Sequence, residues 1–190
     1  MNDDEKLLEE LSPSALGLMA ILSENPMTGY QLKKLIDKPE FIYWRDSFGS
    51  IYPNLKKITS GGLAEKKRAD RNGRKRIVYS LTPRGRRIVN LWLRMPAKKK
   101  PVKIELLLKL RFAYPQGEEA VMGLLRDYLD HQKTAIPEIY EGLQYLEGLT
   151  DTSLRTETRR INADFWYRFS KMLIEWCEDS MDRIQNRDPR

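Results

Sequence analysis

The sequence contains one cysteine, Cys177, and one histidine, His131, among its 190 residues. A single cysteine excludes a disulfide framework and a cysteine-based zinc site. A Ser-His or Cys-His catalytic arrangement would have to use His131, and no nucleophile motif lies near that residue. We therefore expect no catalytic residues, no metal site and no cofactor, and a protein that is not an enzyme.

Long apolar runs are also lacking, since no uninterrupted stretch approaches the roughly 18 residues of a membrane span. The first ten residues, MNDDEKLLEE, are acidic, which is the opposite of a secretory signal. The sequence therefore predicts a cytoplasmic protein that does not interact with a membrane.

Positive charge is plentiful and unevenly distributed. The net charge is +7, with 21 basic and 11 acidic residues in 1–100 but 13 and 16 in 101–190. Between Arg45 and Arg87, thirteen Lys or Arg stand against three acids. Such a concentration is typical of a surface that binds phosphate groups. We predict a nucleic-acid-binding half followed by a half that does not touch nucleic acid.

The basic stretch begins with the pattern of a short helix. Ile51, Leu55 and Ile58 recur at spacings of four and three, which predicts one apolar face of a helix. Ser47 can cap this helix, and Gly61-Gly62 can end it because glycine accepts a positive φ. The predicted helix therefore spans residues 47–60.

A hairpin and another helix follow. Residues 63–69 and 76–81 have strand character and flank residues 70–74, which contain Asn-Gly, a strong hairpin signal. Thr82 can cap the next helix, and Pro83 suits its first position. Helix, hairpin and helix in this order form the second half of a winged helix-turn-helix.

Shorter helices precede the basic stretch. Residues 15–22 are apolar nearly all round, which indicates a buried helix, and Thr28 with Gln31 matches a capping box at the start of the next. Residues 3–11 favour a helix too short to be stable alone, so it must dock on another part of the protein. We predict a winged helix-turn-helix domain over residues 1–95.

The rest of the chain is predicted to be helical. Residues 96–102 contain PAKKKP and are interpreted as a linker, and residues 103–190 as a helical dimerisation domain. Pro137 should break or kink one helix. The last helix, about residues 152–186, is long for a globular domain, because helices in such domains have a mean length of about 11–12 residues. Its apolar residues favour pairing of two copies: Ile161, Phe165, Phe169, Met172, Leu173, Trp176 and Ile184.

The N-terminal half resembles the PadR family of bacterial transcriptional regulators. The resemblance covers about residues 12–95 and rests on TGYQL from Thr28, SFGSIYPNLKKITSGGLAEKKRA from Ser47 and GRKRIVYSLTPRGRRIVNLW from Gly73. One departure is TSG at 59–61, where the family more often carries charged residues. The C-terminal half is similar only in pattern to the longer members of the family.

The resemblance implies a homodimeric winged-helix repressor that binds an operator with dyad symmetry. It also implies that the C-terminal helices carry the dimer contacts, with the N-terminal helix (1–12) docking on them. Many members release DNA when a small molecule binds, so we expect an effector, aromatic or apolar in character.

Within this scheme, helix 47–60 enters the major groove and the hairpin tip follows the adjacent backbone or minor groove. Two structural alternatives remain open: Pro53 can simply shape the helix start, and Tyr30 can be a core residue. The predicted DNA-binding residues are Tyr30, Gln31, Ser47, Ser50, Tyr52, Pro53, Asn54, Lys56, Lys57, Lys66, Lys67, Arg74, Lys75 and Arg76.

Three tryptophans are candidates for an effector pocket near the dimer axis, because small-molecule sites are mostly apolar and aromatic. These are Trp92, Trp166 and Trp176, and plain interface packing is the alternative for all of them. A different function class also stays open, in which the winged helix contacts protein or RNA instead of operator DNA.

Overall fold

A computed structural model of the protein describes residues 3–38, 41, 51–71, 74–97 and 104–187. Over these residues the chain is mainly helical with a small antiparallel sheet, which confirms the predicted fold class. The described helices are α1 (Asp3–Glu10), α2 (Pro13–Glu24), α3 (Gly29–Ile36), α4 (Ile51–Ser60), α5 (Pro83–Arg94), α6 (Glu105–Phe112), α7 (Glu118–Glu147) and α8 (Leu154–Gln185). The described strands are β1 (Met27–Thr28), β2 (Ala64–Arg71) and β3 (Arg74–Leu81).

Contacts divide the chain into two compact units, Met1–Lys99 and Lys100–Arg190. The predicted linker, residues 96–102, lies mostly outside the described residues. Each unit has its own apolar core. The assignment of the second unit to dimerisation stays a prediction.

The core of the first unit is built around α2. Leu18, Met19 and Leu22 are fully buried, which confirms the buried helix predicted for this stretch, and α2 packs against α4 and α5. Leu8 of α1 and the following Leu11 are buried in the same core. Docking of the N-terminal helix on the C-terminal helices stays a prediction.

The sheet has the strand order β1-β3-β2. Strand β1 was not predicted, and it pairs Met27 with Tyr79 in β3. The hairpin strands are longer than predicted, because pairing continues from Ala64 with Leu81 out to Arg71 with Arg74. The pairing therefore includes Asp70, Arg71 and Arg74, which were predicted to belong to the connection.

A network of caps joins α4, β2 and α5. Gly62 has φ 68°, and the N–H groups of Gly62 and Leu63 donate to the carbonyls of Thr59 and Ile58, a Schellman motif. The hydroxyl of Thr82 accepts from the N–H of Gly85 at 3.1 Å and donates toward the carbonyl of Gly62 at 2.8 Å. The predicted end of α4 at Gly61-Gly62 and the predicted start of α5 at Thr82 are thus confirmed.

The second unit packs α7 along α8, and its core contains Leu106, Leu125, Leu129 and Cys177. The predicted break at Pro137 is wrong in so far as α7 continues through it to Glu147. Residues beyond the proline, including Ile139, Leu143 and Leu146, are buried. Their burial offsets the cost of about 3 kcal/mol that proline imposes on a helix interior.

The turn between α7 and α8 is stabilised by side chains. Ser153 caps α8 by accepting from the N–H of Thr156, and the Thr156 hydroxyl donates to Oδ2 of Asp151 at 2.5 Å. The guanidinium of Arg160 donates to the carbonyls of Leu146 and Leu149. The two long helices are therefore held together at this end by hydrogen bonds as well as by apolar packing.

Candidate nucleic-acid interface

Helix α4 presents a polar row opposite its buried face. Leu55 and Ile58 are fully buried, whereas Tyr52, Lys56 and Ser60 follow one another at spacings of four and form a row on the outer side. Tyr52 is 61% exposed, and Lys56 is exposed as well. This row is open to a macromolecular partner. Ser47 and Ser50, also predicted to contact DNA, lie outside the described residues.

Two tyrosines lie at the junction of α3 and α4. The ring of Tyr52 lies against the backbone of Gly29, the first residue of α3. The neighbouring Tyr30 is 71% exposed, so the alternative of a core tyrosine is wrong. Pro53 is exposed and is the third residue of α4 as described, where a missing N–H costs little. Tyr30 and Pro53 are therefore both surface residues.

Gln31 has a structural role that accompanies its predicted contact with DNA. Its side-chain Oε1 accepts from the N–H of Thr28 at 2.9 Å, and its own N–H donates to the Thr28 hydroxyl at 3.2 Å. These two bonds confirm the predicted capping box. The amide Nε2 of this exposed side chain is the end with donors to offer a phosphate.

Asn54 and Lys57 lie on a different flank of α4 from Tyr52 and Lys56. The ammonium of Lys57 donates to the backbone oxygen of Glu10 at 3.0 Å. Asn54 is half-buried, and its Oδ1 lies 3.5 Å from the hydroxyl of Ser12. Sequence periodicity separates buried from exposed positions, but it does not reveal that another helix lies beside this flank.

The hairpin formed by β2 and β3 extends beyond the core, and Ile77 of β3 is accordingly 47% exposed. Lys66 is paired with Tyr79 and Lys67 with Val78, so the two lysines project from opposite faces of the sheet. Both lysines are exposed, as is Arg76. The backbones of Arg74 and Lys75 belong to β3, and their side chains lie outside the described part.

Lys67 has an acidic neighbour on its face of the hairpin. Its ammonium lies 2.9 Å from Oε1 of Glu65, and the hydroxyl of Ser80 donates to the same oxygen at 3.3 Å. The hydrogen bond and positive charge of Lys67 lower the pKa of Glu65. At neutral pH this carboxylate is ionised, so it neutralises part of the positive charge on that face.

The three candidate tryptophans belong to different clusters. Trp92 is half-buried against the core of the first unit, and Trp176 against the core of the second. Trp166 meets Phe165 and Phe169 edge-on, with ring centroids 5.2 and 5.7 Å apart. The shared effector pocket predicted for these rings stays a prediction.

The described ranges contain no group of three or more His, Cys, Asp or Glu side chains arranged to hold a metal ion. None of the helices in this part of the chain combines the length and apolar character needed to cross a membrane.

Comparison with known proteins assigns both halves of the chain. Residues 18–90 match the transcriptional regulator PadR-like family, and residues 102–185 match the virulence activator alpha C-terminal family. The N-terminal half of the chain therefore carries a PadR-like family domain. The predicted resemblance is thereby confirmed, and the family is one of transcriptional regulators.

PadR of Bacillus subtilis illustrates the likeness in both sequence and structure. The chain is 23% identical over 124 residues to the negative transcriptional regulator PadR of Bacillus subtilis (strain 168), covering 64% of this chain and 68% of that protein. The crystal structure of Bacillus subtilis PadR in complex with operator DNA has a TM-score of 0.76 at 20% identity, covering 88% of this chain and 96% of that chain.

Further solved structures share the fold. Bacillus subtilis PadR in complex with p-coumaric acid has a TM-score of 0.65 at 20% identity, covering 90% of this chain and 98% of that chain. The Vibrio cholerae virulence activator AphA has a TM-score of 0.73 at 18% identity, with 90% and 98% covered. At these identities the likeness shows the PadR-like fold.

Proposed function

We propose that this protein is a sequence-specific DNA-binding regulator, acting in the cytoplasm as a homodimeric repressor that a small molecule releases from its operator. The observation that carries the proposal is the exposed row of Tyr52, Lys56 and Ser60 beside an exposed, basic hairpin. A helix of this width fits the major groove, and an adjoining β-ribbon reaches the neighbouring backbone.

The two parts of this surface contribute differently. Lys56, Lys66 and Arg76 supply affinity through phosphates, a contribution that depends on salt and not on sequence. Tyr52, at the N-terminal end of the row, supplies contacts to base edges. Repression is supported by the name of the Bacillus subtilis relative, a negative transcriptional regulator. The Vibrio cholerae relative is an activator, so a reporter gene downstream of the operator tests the direction of regulation.

The homodimer is supported by apolar side chains on the outer face of α8. Ile161, Phe165 and Met172 are 62%, 56% and 46% exposed, and their spacings of four and seven place them on one face. Exposed apolar residues at helical spacing mark an interaction surface. A second copy of α8 would bury this face, and two copies would present two α4 helices to the half-sites of a dyad-symmetric operator.

A small-molecule effector is supported by the solved complex of one relative and by the aromatic side chains of α8. Bacillus subtilis PadR binds p-coumaric acid in its solved complex, and this chain carries the aromatic cluster of Phe165, Trp166 and Phe169 on α8. Trp166 and Trp176 are ten residues apart on the same helix, about 15 Å along its axis. We therefore propose a small aromatic or apolar effector held by rings from two copies.

The proposal is tested by selecting genomic DNA fragments on the full-length protein and measuring affinity for the selected duplex. We expect the duplex to bind more tightly than a random duplex and than single-stranded RNA of the same length. Tyr52→Ala should lower the ratio of operator affinity to random-duplex affinity. Equal binding of all three nucleic acids would favour the alternative function, a module for protein or RNA contact.

Compounds added to the operator complex then test the effector. We expect a small aromatic acid or apolar ring compound to release the duplex, and Trp166→Ala to reduce that release. Unchanged release in Trp166→Ala and in Trp176→Ala would remove these rings from the effector site.

A further inference from the structure

A lysine in the last turn of α4 reaches the C-terminal end of α1. Glu10 is the last residue of α1, so its carbonyl has no acceptor role within the helix, and the negative end of the helix dipole lies there. The Lys57 ammonium donates to this carbonyl at 3.0 Å, across 47 residues of sequence. A cation at a helix C-terminus donates a hydrogen bond to a carbonyl that has no partner within the helix, and it also interacts favourably with the helix dipole.

The other end of α1 is attached to α5. Asp4 places one carboxylate oxygen 3.3 Å from Nε of Arg84 and the other 3.8 Å from Nε of Arg87. Leu8 and Leu11 bury the apolar side of this segment in the core. A helix of eight residues spans about 12 Å, so α1 bridges α5 and α4 as a short brace.

The brace contacts a particular flank of α4. Lys57 and Asn54 are three residues apart and share that flank, where Ser12 approaches Asn54. The row of Tyr52 and Lys56 lies on the opposite side of the exposed surface. Burial of Leu55 and Ile58 sets the inward face of α4. The contact on this flank adds a second restraint on the rotation of the helix, and with it on the direction in which the row points.

We propose that Lys57 is a positioning residue for DNA reading: it holds α4 against the brace so that Tyr52 and Lys56 meet the groove, and it does not bind a phosphate. This inference rests on the proposed function. It differs from the prediction made from the sequence, in which Lys56 and Lys57 both contact DNA.

Salt dependence separates the two roles, because each phosphate contact contributes about 0.9 to the slope of log affinity against log salt. Lys56→Met is the matched control, since it removes the same charge from the next residue of the same helix. The full-length protein is titrated onto the selected operator duplex and onto a random duplex over a range of KCl concentrations, and thermal unfolding is followed for each variant.

We expect Lys56→Met to lower the slope by about 0.9 on both duplexes. Lys57→Met should leave both slopes unchanged and weaken operator binding by about tenfold, the loss expected if only about one molecule in ten then holds α4 in the orientation that meets the groove. Random-duplex affinity and the unfolding temperature should stay close to wild type. Lys57→Arg, which retains a donor for the Glu10 carbonyl, should restore operator affinity, and Lys57→Gln provides a second neutral variant if Lys57→Met does not fold.

A slope lowered by about 0.9 in Lys57→Met would make Lys57 a phosphate contact and overturn the inference while leaving the proposed function intact. Wild-type operator affinity in Lys57→Met, or equal weakening on both duplexes, would also overturn it. Failure of the proposed function has a different signature: the wild-type protein would not distinguish operator from random duplex, and Lys56→Met would leave the slope unchanged.

Discussion

The ring of Tyr52 rests on the backbone of Gly29, so that a Cβ built at Gly29 would lie 2.7 Å from Cε1 and 3.1 Å from the hydroxyl oxygen of Tyr52. Glycine at the first residue of α3 therefore makes room for a ring on α4. The ring is nevertheless 61% exposed, so this contact leaves most of its surface available to a partner.

Gly29→Ala should displace the Tyr52 ring. Because the obstructed atoms are at the end of a flexible side chain, we expect little change in the free energy of unfolding but a clear loss of operator affinity. The measurement is operator binding by Gly29→Ala, Tyr52→Ala and the double variant. If the alanine acts through the ring, it should have no further effect in the Tyr52→Ala background. Additive losses would show that Gly29 acts in another way.

The tip of the hairpin provides a test of the phosphate contacts. Neutralising Arg74 and Lys75 together should weaken binding to all duplexes and lower the salt slope by about 1.8, which corresponds to two contacts. The ratio of operator to random affinity should change little, because phosphate contacts carry no sequence information. An unchanged slope would remove these two residues from the contact surface.

Local signals in the sequence predicted much of the N-terminal half. The caps at Thr28, Thr82 and Gly62 depend on neighbours within a few residues, and the structure shows each of them. Strand β1 was missed because two residues, Met27 and Thr28, carry no period of their own. Their pairing with β3 depends on a partner about 50 residues away.

The candidate site shows the same limit. Periodicity identified Leu55 and Ile58 as the buried face of α4, but Lys56 and Lys57 look equivalent as neighbouring lysines. Only the approach of Glu10 distinguishes them. Pro137 shows the opposite case, in which a strong local signal for a helix break was overridden by the packing of α7 along α8.

The outer face of α8 should control assembly. Replacing Ile161 and Phe165 by Glu places charges on side chains that are mostly exposed in one protomer, so the protomer should still fold. If this face is buried between two copies, the double variant should sediment as a monomer and lose operator affinity. Replacement of both residues by Leu keeps the apolar surface and serves as the control. A Glu variant that remains dimeric would place the interface elsewhere.

Gly85 packs where no side chain fits. A Cβ there would lie 2.0 Å from the carbonyl oxygen of Leu63, a backbone atom that already accepts from the N–H of Thr82 at 3.1 Å. Gly85→Ala should therefore destabilise the protein by about 3 kcal/mol, at the upper end of overpacking effects. Urea unfolding at fixed protomer concentration measures this loss.

Gly123 offers the matched control, because a Cβ at this helical position would meet nothing within 4 Å. Gly123→Ala should stabilise the protein by about 0.5–1 kcal/mol through the better helix propensity of alanine. If both variants shift stability by similar small amounts, the close approach of Gly85 to Leu63 would not constrain the fold.

The turn between α7 and α8 predicts a dependence of stability on acidity. Hydrogen bonds from the Thr156 hydroxyl, followed by those from the N–H and hydroxyl of Ser153, lower the pKa of Asp151 from its ordinary value of 3.8. A carboxyl whose folded pKa is depressed stabilises the protein above that ordinary value, and the contribution is lost as the pH falls through the folded pKa.

Asp151→Asn removes this titration. We therefore expect the variant to be less stable than wild type near neutral pH, and the difference in the free energy of unfolding to shrink as the solution is acidified below 3.8. Urea unfolding of both proteins across the acidic range gives this difference directly. A constant difference at every pH would mean that the ionised Asp151 carboxylate contributes nothing that the protonated carboxyl does not, and that the turn is held by the Ser153 cap and Arg160 instead.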